Sequence, residues 1–404
     1  VAMTAVMILP TILAVLQNGR VNSPTYGWGA LVYSHEQRYL HILQSLFFPP
    51  DIPARPNFTP DSDAKWASLG AWLPLFSMTG AIAWIQRKKK NWIKRMVILL
   101  LFMTVIPILN NSFQLFNAAY YARWFYMMTL MMALATVCCL ETEGVNWGRA
   151  LRWTGGITAA MALGIGLMPK QLDAEGNIQS VGLEDYPHRF WPYVAIALWC
   201  LLLLYYLLPL LRKNKRKFMK FATLGVALVS AIYSMYYIGL GKTQSYDDHN
   251  FIIPYALNGG KDVSLPDQEG DGDYRVDFYS SMDNMAMFWH MPSIQAFHSI
   301  VPGSIMEFYN SVGVERGVAS RPETSHIGIR GLLSVKYLFD YAGDSDSFIT
   351  GEEQEPQIPG FRYYATQNGF DIYENKYYIP FGFTYDKYCN TSQYEAVSQQ
   401  EREI

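Results

Sequence analysis

The chain has 404 residues, a formal net charge of −2, 16% charged residues and 50% hydrophobic ones. These averages would suit a soluble enzyme and carry no basic excess that would call for a nucleic-acid partner. They mix two unlike halves, because the long apolar runs fall before residue 241 and most acidic residues fall after it. Cys138, Cys139 and Cys200 lie inside apolar runs and only Cys389 lies beyond them, so neither a disulfide framework nor a CxxC metal site is expected.

In chain order, Val1-Ala2-Met3-Thr4 stands already within an apolar stretch. There is no charged n-region and no small-residue cleavage site, so the start reads as a helix entered partway in a longer protein. A bilayer core of ~30 Å needs about 20 apolar residues in helix. Stretches 1–17, 66–86, 95–109, 121–140, 152–168, 190–211 and 219–240 meet or approach that. The expectation is a polytopic α-helical membrane bundle over 1–240, with about seven transmembrane helices. Gly156, Ala160 and Gly164 recur every four residues and predict close helix–helix contact.

Basic residues cluster in alternate loops. Arg87, Lys88, Lys89, Lys90, Lys94 and Arg95 form one cluster, Arg149 and Arg152 another, and Arg212, Lys213, Lys215, Arg216, Lys217 and Lys220 a third. The positive-inside rule makes that side cytoplasmic. It places Trp66, Trp72, Trp191 and Tyr236–Tyr237 near the outer interface and Trp84 near the inner one. Residues 241–404 then form an extracytoplasmic α+β domain. Its strands are expected at Tyr274–Ser280 and Leu332–Tyr341, with a hairpin of Phe370–Glu374 and Ile379–Tyr385 around Asn375-Lys376. Segment 283–312 is expected to be helical in part, and 266–273 to be an exposed acidic loop.

Motifs with a fixed chemistry are missing: no P-loop, no dinucleotide glycine fingerprint, no HExxH and no GxSxG. His35, Glu36 and His41 hold the wrong spacing for a shared metal on one helix face, so neither metal nor cofactor is expected. Asn110-Asn111 running into Tyr120-Tyr121-Ala122-Arg123-Trp124 is more telling. A guanidinium at headgroup depth can grip a phosphate in a bidentate fork, or can act as an interfacial anchor. The short aromatic loop before it can dip back against the bundle. Arg123, Tyr120, Asn111, Asn110 and Trp124 are therefore the candidate substrate-binding residues. No charged side chain occupies the middle of any expected span, which argues against an ion-coupled pump.

Leu9-Pro10-Thr11, Phe47-Phe48-Pro49 and Asn110-Asn111 leading to Tyr121-Ala122-Arg123-Trp124 occur in an order that resembles the YfhO-type bacterial membrane proteins. Tyr274-Arg275-Val276, Gly331 through Tyr337, Ile372-Tyr373-Glu374-Asn375 and Ile379-Pro380 extend the resemblance. It implies a glycosyltransferase of the GT-C type in the bacterial cell membrane. Such an enzyme moves a sugar from a polyprenyl-phosphate carrier to a cell-envelope polymer such as lipoteichoic acid, with membrane lipids as its surroundings. That chemistry needs a carboxylate base and a cation for the departing phosphate. No catalytic residue is assigned on sequence alone, although Glu36 and Asp51 are acidic and fall on the outer side. A sugar-lipid flippase and a non-catalytic scaffold with an extracytoplasmic binding domain are the competing classes.

Overall fold

The computed structural model describes residues 2–16, 25–34, 37–51, 69–87, 91–114, 116–117, 122–172, 178–183, 187–244, 251–266, 274–279, 281–298, 301–314, 319–320, 322–343, 347–350 and 355–384, with 386, 388, 390, 392–393 and 396–397. Glu36, Trp66, Tyr120, Cys389 and the acidic run 267–273 lie outside them. The chain divides into two units, Val21–Ser245, and Val1–Arg20 with Tyr246–Ile404.

The helices, in order, are α1 (Ala2–Leu16), α2 (Gln37–Phe47), α3 (Thr79–Ile85), α4 (Trp92–Val105), α5 (Pro107–Asn111), α6 (Phe125–Glu141), α7 (Trp147–Leu167), α8 (Pro187–Lys213) and α9 (Lys215–Gln244). A small antiparallel hairpin, β1 (Pro169–Leu172) and β2 (Ile178–Val181), joins α7 to α8.

The expectation of seven spans is overturned. Among the described residues only Pro187–Lys213 and Lys215–Thr243 are long and apolar enough to cross a membrane, or three spans if Trp92–Val105 and Pro107–Gln114 count as one broken span. Hydrophobic runs were continuous where helices are not. In the run 66–86, turn residues precede a seven-residue α3, with Leu75 and Ser77 at positive φ. In 95–109, Pro107 lacks an N–H and drives Ile106 into extended conformation, so the chain bends by 106° there. Helix α6 starts only at Phe125 and runs 17 residues. Helix α7 has 21 residues but carries Arg149 and Arg152 in its first turns.

Helix α3 sits at the centre, with Thr79, Gly80, Ala81, Ala83 and Trp84 all buried between α6 and α7. Two hydrophobic clusters surround it, one including Phe48, Trp124, Phe125 and Phe190, the other Leu75, Trp84, Val97, Trp147 and Phe218. Trp72 and Trp84, expected at membrane interfaces, are core residues, while Trp191 is exposed. The small-residue stripe is also corrected: Gly156 and Gly164 face open space. Close approach occurs at Gly80, against Thr136, and at Gly166, where a Cβ would lie 2.7 Å from Trp191.

The C-terminal unit is built on a mixed sheet of order β3-β6-β10-β9, from β3 (Arg275–Tyr279), β6 (Val335–Tyr341), β9 (Phe361–Gln367) and β10 (Phe370–Asn375). Strands β3 and β6 run parallel and the other pairs antiparallel. Two-residue strands form minor ribbons, β4 (Ala296–Phe297) with β5 (Ala319–Ser320), and β7 (Ile349–Thr350) with β8 (Glu355–Pro356). Short helices α10 (Met285–Phe288), α11 (Gly303–Ser311) and α12 (Ile327–Leu332) complete it. One sheet face packs Val276, Phe278, Phe339, Phe370 and Ile372 against Trp289. The expected hairpin around Asn375-Lys376 is corrected. The partner of β10 is β9, through Asn368-Gly369, both at positive φ as a tight hairpin turn demands. Asp277 and Arg330 form a buried ion pair at 2.8 Å, and Arg330 spends its other donors on the carbonyls of Pro322 and Glu323.

The packing at Gly80 yields a direct test. Gly80→Ala should lower the melting temperature of the detergent-solubilised protein, because overpacking costs about 1–3 kcal/mol. Gly156→Ala and Gly164→Ala should leave it unchanged or raise it, since alanine is the better helix former. Equal melts for all three would show that α3 is not tightly packed against α6.

Candidate functional site

Two polar constellations stand out among the described residues of the helical unit. The first holds the residues expected from sequence. Asn110 and Asn111 end α5 and are both buried. The Trp124 indole N–H donates to Asn110 Oδ1 at 2.6 Å, and Asn111 Nδ2 donates to Thr25 Oγ1 at 2.7 Å. Trp124 is buried and stacked on Phe113, with ring centroids 4.7 Å apart. These three residues thus brace the bend after α4 and close it over the start of α6. Arg123 is exposed beside them.

The second constellation is the one that sequence reasoning missed. Asp51 follows the end of α2, where Pro49 and Pro50 prevent the helix from continuing. Arg189 lies in the first turn of α8, opened by Pro187 at its first position. Arg189 Nη2 donates to Asp51 Oδ2 at 2.8 Å, and Tyr193 Oη donates to Asp51 Oδ1 at 2.9 Å. Arg189 and Tyr193 are four apart and so share one helix face. The side chains of the pair are 0% and 3% exposed. From α9, Tyr233 donates its hydroxyl to the carbonyl of Pro50. The Tyr193 ring packs against Tyr233 and Tyr236 at centroid distances of 6.4 and 5.8 Å, and Trp72 packs against Tyr233.

The electrostatics are unusual. A cation in the first turn of a helix opposes the helix dipole. Burial adds a desolvation cost that an ion pair recovers only with good geometry and further hydrogen bonds. Such a pair is chemically capable in two ways: the guanidinium can bind a phosphate and the carboxylate can take a proton. An apolar groove of about 470 Å³ runs between α8 and α9, lined by residues including Ile196, Trp199, Leu203, Ile232 and Tyr233. It therefore shares Tyr233 with the buried pair.

Two adjacent apolar helices are thus long enough to cross a membrane, and the arginine of a buried ion pair lies in the first turn of one of them. The chain belongs to the YfhO family: the model for bacterial membrane protein YfhO matches residues 1–403. Comparison with curated proteins and with solved structures returned no match.

The Asn110–Trp124 bond provides its own test. Asn110→Leu keeps the volume but strands a buried indole N–H, at a cost of about 1–3 kcal/mol. The melting temperature should fall, whereas Arg123→Lys, at an exposed position, should leave it unchanged. A normal melt for Asn110→Leu would remove this bond from the brace.

Proposed function

We propose that this protein is a membrane glycosyltransferase that takes a sugar from a polyprenyl-phosphate carrier and adds it to a cell-envelope acceptor such as lipoteichoic acid. The observation that carries the reading is the buried Asp51–Arg189 pair boxed by tyrosines at the edge of an apolar groove. The groove suits an isoprenoid tail, and the guanidinium suits the phosphate that the tail carries. In the resting state Arg189 occupies Asp51. A carrier phosphate competes for the guanidinium and releases the carboxylate to act as general base.

The acceptor hydroxyl then loses its proton to Asp51 as its oxygen attacks the anomeric carbon. The bond from that carbon to the phosphate oxygen breaks, and Arg189 holds the departing lipid phosphate. Arg123, exposed next to the braced loop, is assigned a second contact to carrier phosphate on the approach path. The distribution of basic residues supports an outward-facing position for this site and for the C-terminal unit.

The test is reconstitution of the protein in liposomes with radiolabelled polyprenyl-phosphate sugars and a cell-envelope polymer. Wild type should label the polymer. Asp51→Asn should lower the rate by about 10²–10⁴ while carrier binding persists. Arg123→Lys should lower it roughly tenfold to a hundredfold, the effect of losing a charge-assisted hydrogen bond. Carrier crossing the bilayer with no label transferred would replace the transferase reading with a flippase. An undiminished rate in Asp51→Asn would remove Asp51 as the base.

A further inference from the structure

A second cavity, of about 860 Å³, lies among the α6–α7 connection, the first turns of α7 and the α8–α9 junction. Its charged lining is Arg152, Arg212, Lys213 and Lys215 against Glu141 and Glu143. Apolar residues such as Leu151, Tyr205 and Leu208 line the rest. A smaller cavity of about 400 Å³ adjoins it through Arg152, with Arg149 and Trp153 on its walls. Among the described residues, no ion pair or side-chain hydrogen bond occupies any of the four cations. Pro209 has no N–H to give back to the carbonyl of Tyr205, so the wall also carries an acceptor outside the helical ladder.

We propose that this cavity binds the headgroup of an anionic phospholipid from the cytoplasmic leaflet. The cations exceed the carboxylates by two, so the site attracts a phosphodiester monoanion, which lowers that excess, whereas a zwitterionic lipid leaves it whole. Glu141, Glu143 and the Tyr205 carbonyl accept hydrogen bonds and so suit the hydroxyls of a glycerol headgroup. The apolar wall continues up α7 and α8, where acyl chains would lie. A free phosphate would satisfy the cations but neither the carboxylates nor this wall. The surrounding basic loops are those that the positive-inside rule places at the inner surface, where such lipids are found. The site is separate from the Asp51–Arg189 pair and does not depend on the chemistry assigned there.

The complete protein, purified in a neutral detergent, would be titrated with short-chain phosphatidylglycerol, phosphatidylcholine, phosphatidylethanolamine or inorganic phosphate while its melting temperature is followed. Phosphatidylglycerol should raise the melting temperature saturably and the other three should not. Gly148 lines the cavity, and a Cβ there would meet nothing closer than 4.0 Å. Gly148→Phe should therefore fill the cavity without changing charge or orientation, and abolish the shift. Gly148→Leu serves the same purpose should the larger ring impair folding. The pair Arg152→Gln with Arg212→Gln should weaken the apparent affinity roughly tenfold or more. An equal response to all lipids would overturn the proposal, as would an equal response to phosphate or an undiminished shift in a folded Gly148 variant.

Discussion

The constraint on which the helical unit depends is the cost of holding Arg189 and Asp51 away from water. Neither charge is tolerable alone at that burial, and breaking one such pair typically costs about 3–5 kcal/mol. Satisfying both fixes three segments at once. The Pro49-Pro50 stop must deliver Asp51 after α2, α8 must begin two residues before Arg189, and α9 must bring Tyr233 to the carbonyl of Pro50. Tyr193, one turn along α8, then completes the coordination of the carboxylate. Polar chemistry thus pins one end of the α2–α8–α9 arrangement, and the apolar clusters around Thr79, Gly80 and Ala83 pack the rest together with α3, α6 and α7.

What was legible in the sequence, and what was not, follows from the range of each signal. Local signals read well: β3, β6 and β10 stand where alternating or buried runs predict strands, and helices occur within 283–312. Hydropathy counts apolar residues without knowing whether the backbone stays straight, so it fused segments that Pro107, Leu75 and Ser77 separate. The Asn368-Gly369 turn was a local signal that went unread, and the hairpin partner was misplaced as a result. The Asp51–Arg189 pair spans 138 residues of chain, which no window detects. Its local traces are Asp51, an acidic residue expected on the outer side, and an arginine between His188 and Phe190-Trp191 that resembles the Arg123-Trp124 pattern.

A comparison within the chain shows why burial of a pair is not itself a site. Asp277 and Arg330 in the C-terminal unit are as well hidden, at 0% and 4% exposure. There the guanidinium is consumed by two backbone carbonyls, and Asp277 Oδ1 accepts from the N–H of Phe278. That arrangement ties α12 to β3 and serves the fold. Asp51 instead accepts from the Tyr193 hydroxyl, and Tyr233, bonded to the neighbouring Pro50 carbonyl, borders the groove.

The α8–α9 hairpin also separates the proposed carrier site at Asp51–Arg189 from the proposed lipid-headgroup site at Arg212. Asn214 alone lies between the helices, so they run back to back, with Arg189 near the head of α8 and Arg212 near its foot. At 1.5 Å per residue those guanidinium-bearing positions are roughly 35 Å apart, close to the ~30 Å thickness of a bilayer core. One lipid phosphate cannot serve both ends. A phosphate at the Arg212 end would lie about that far from the Asp51 carboxylate, too far to react there. On the two proposals above, reactive carrier and resident lipid are therefore different molecules, held at opposite ends of α8.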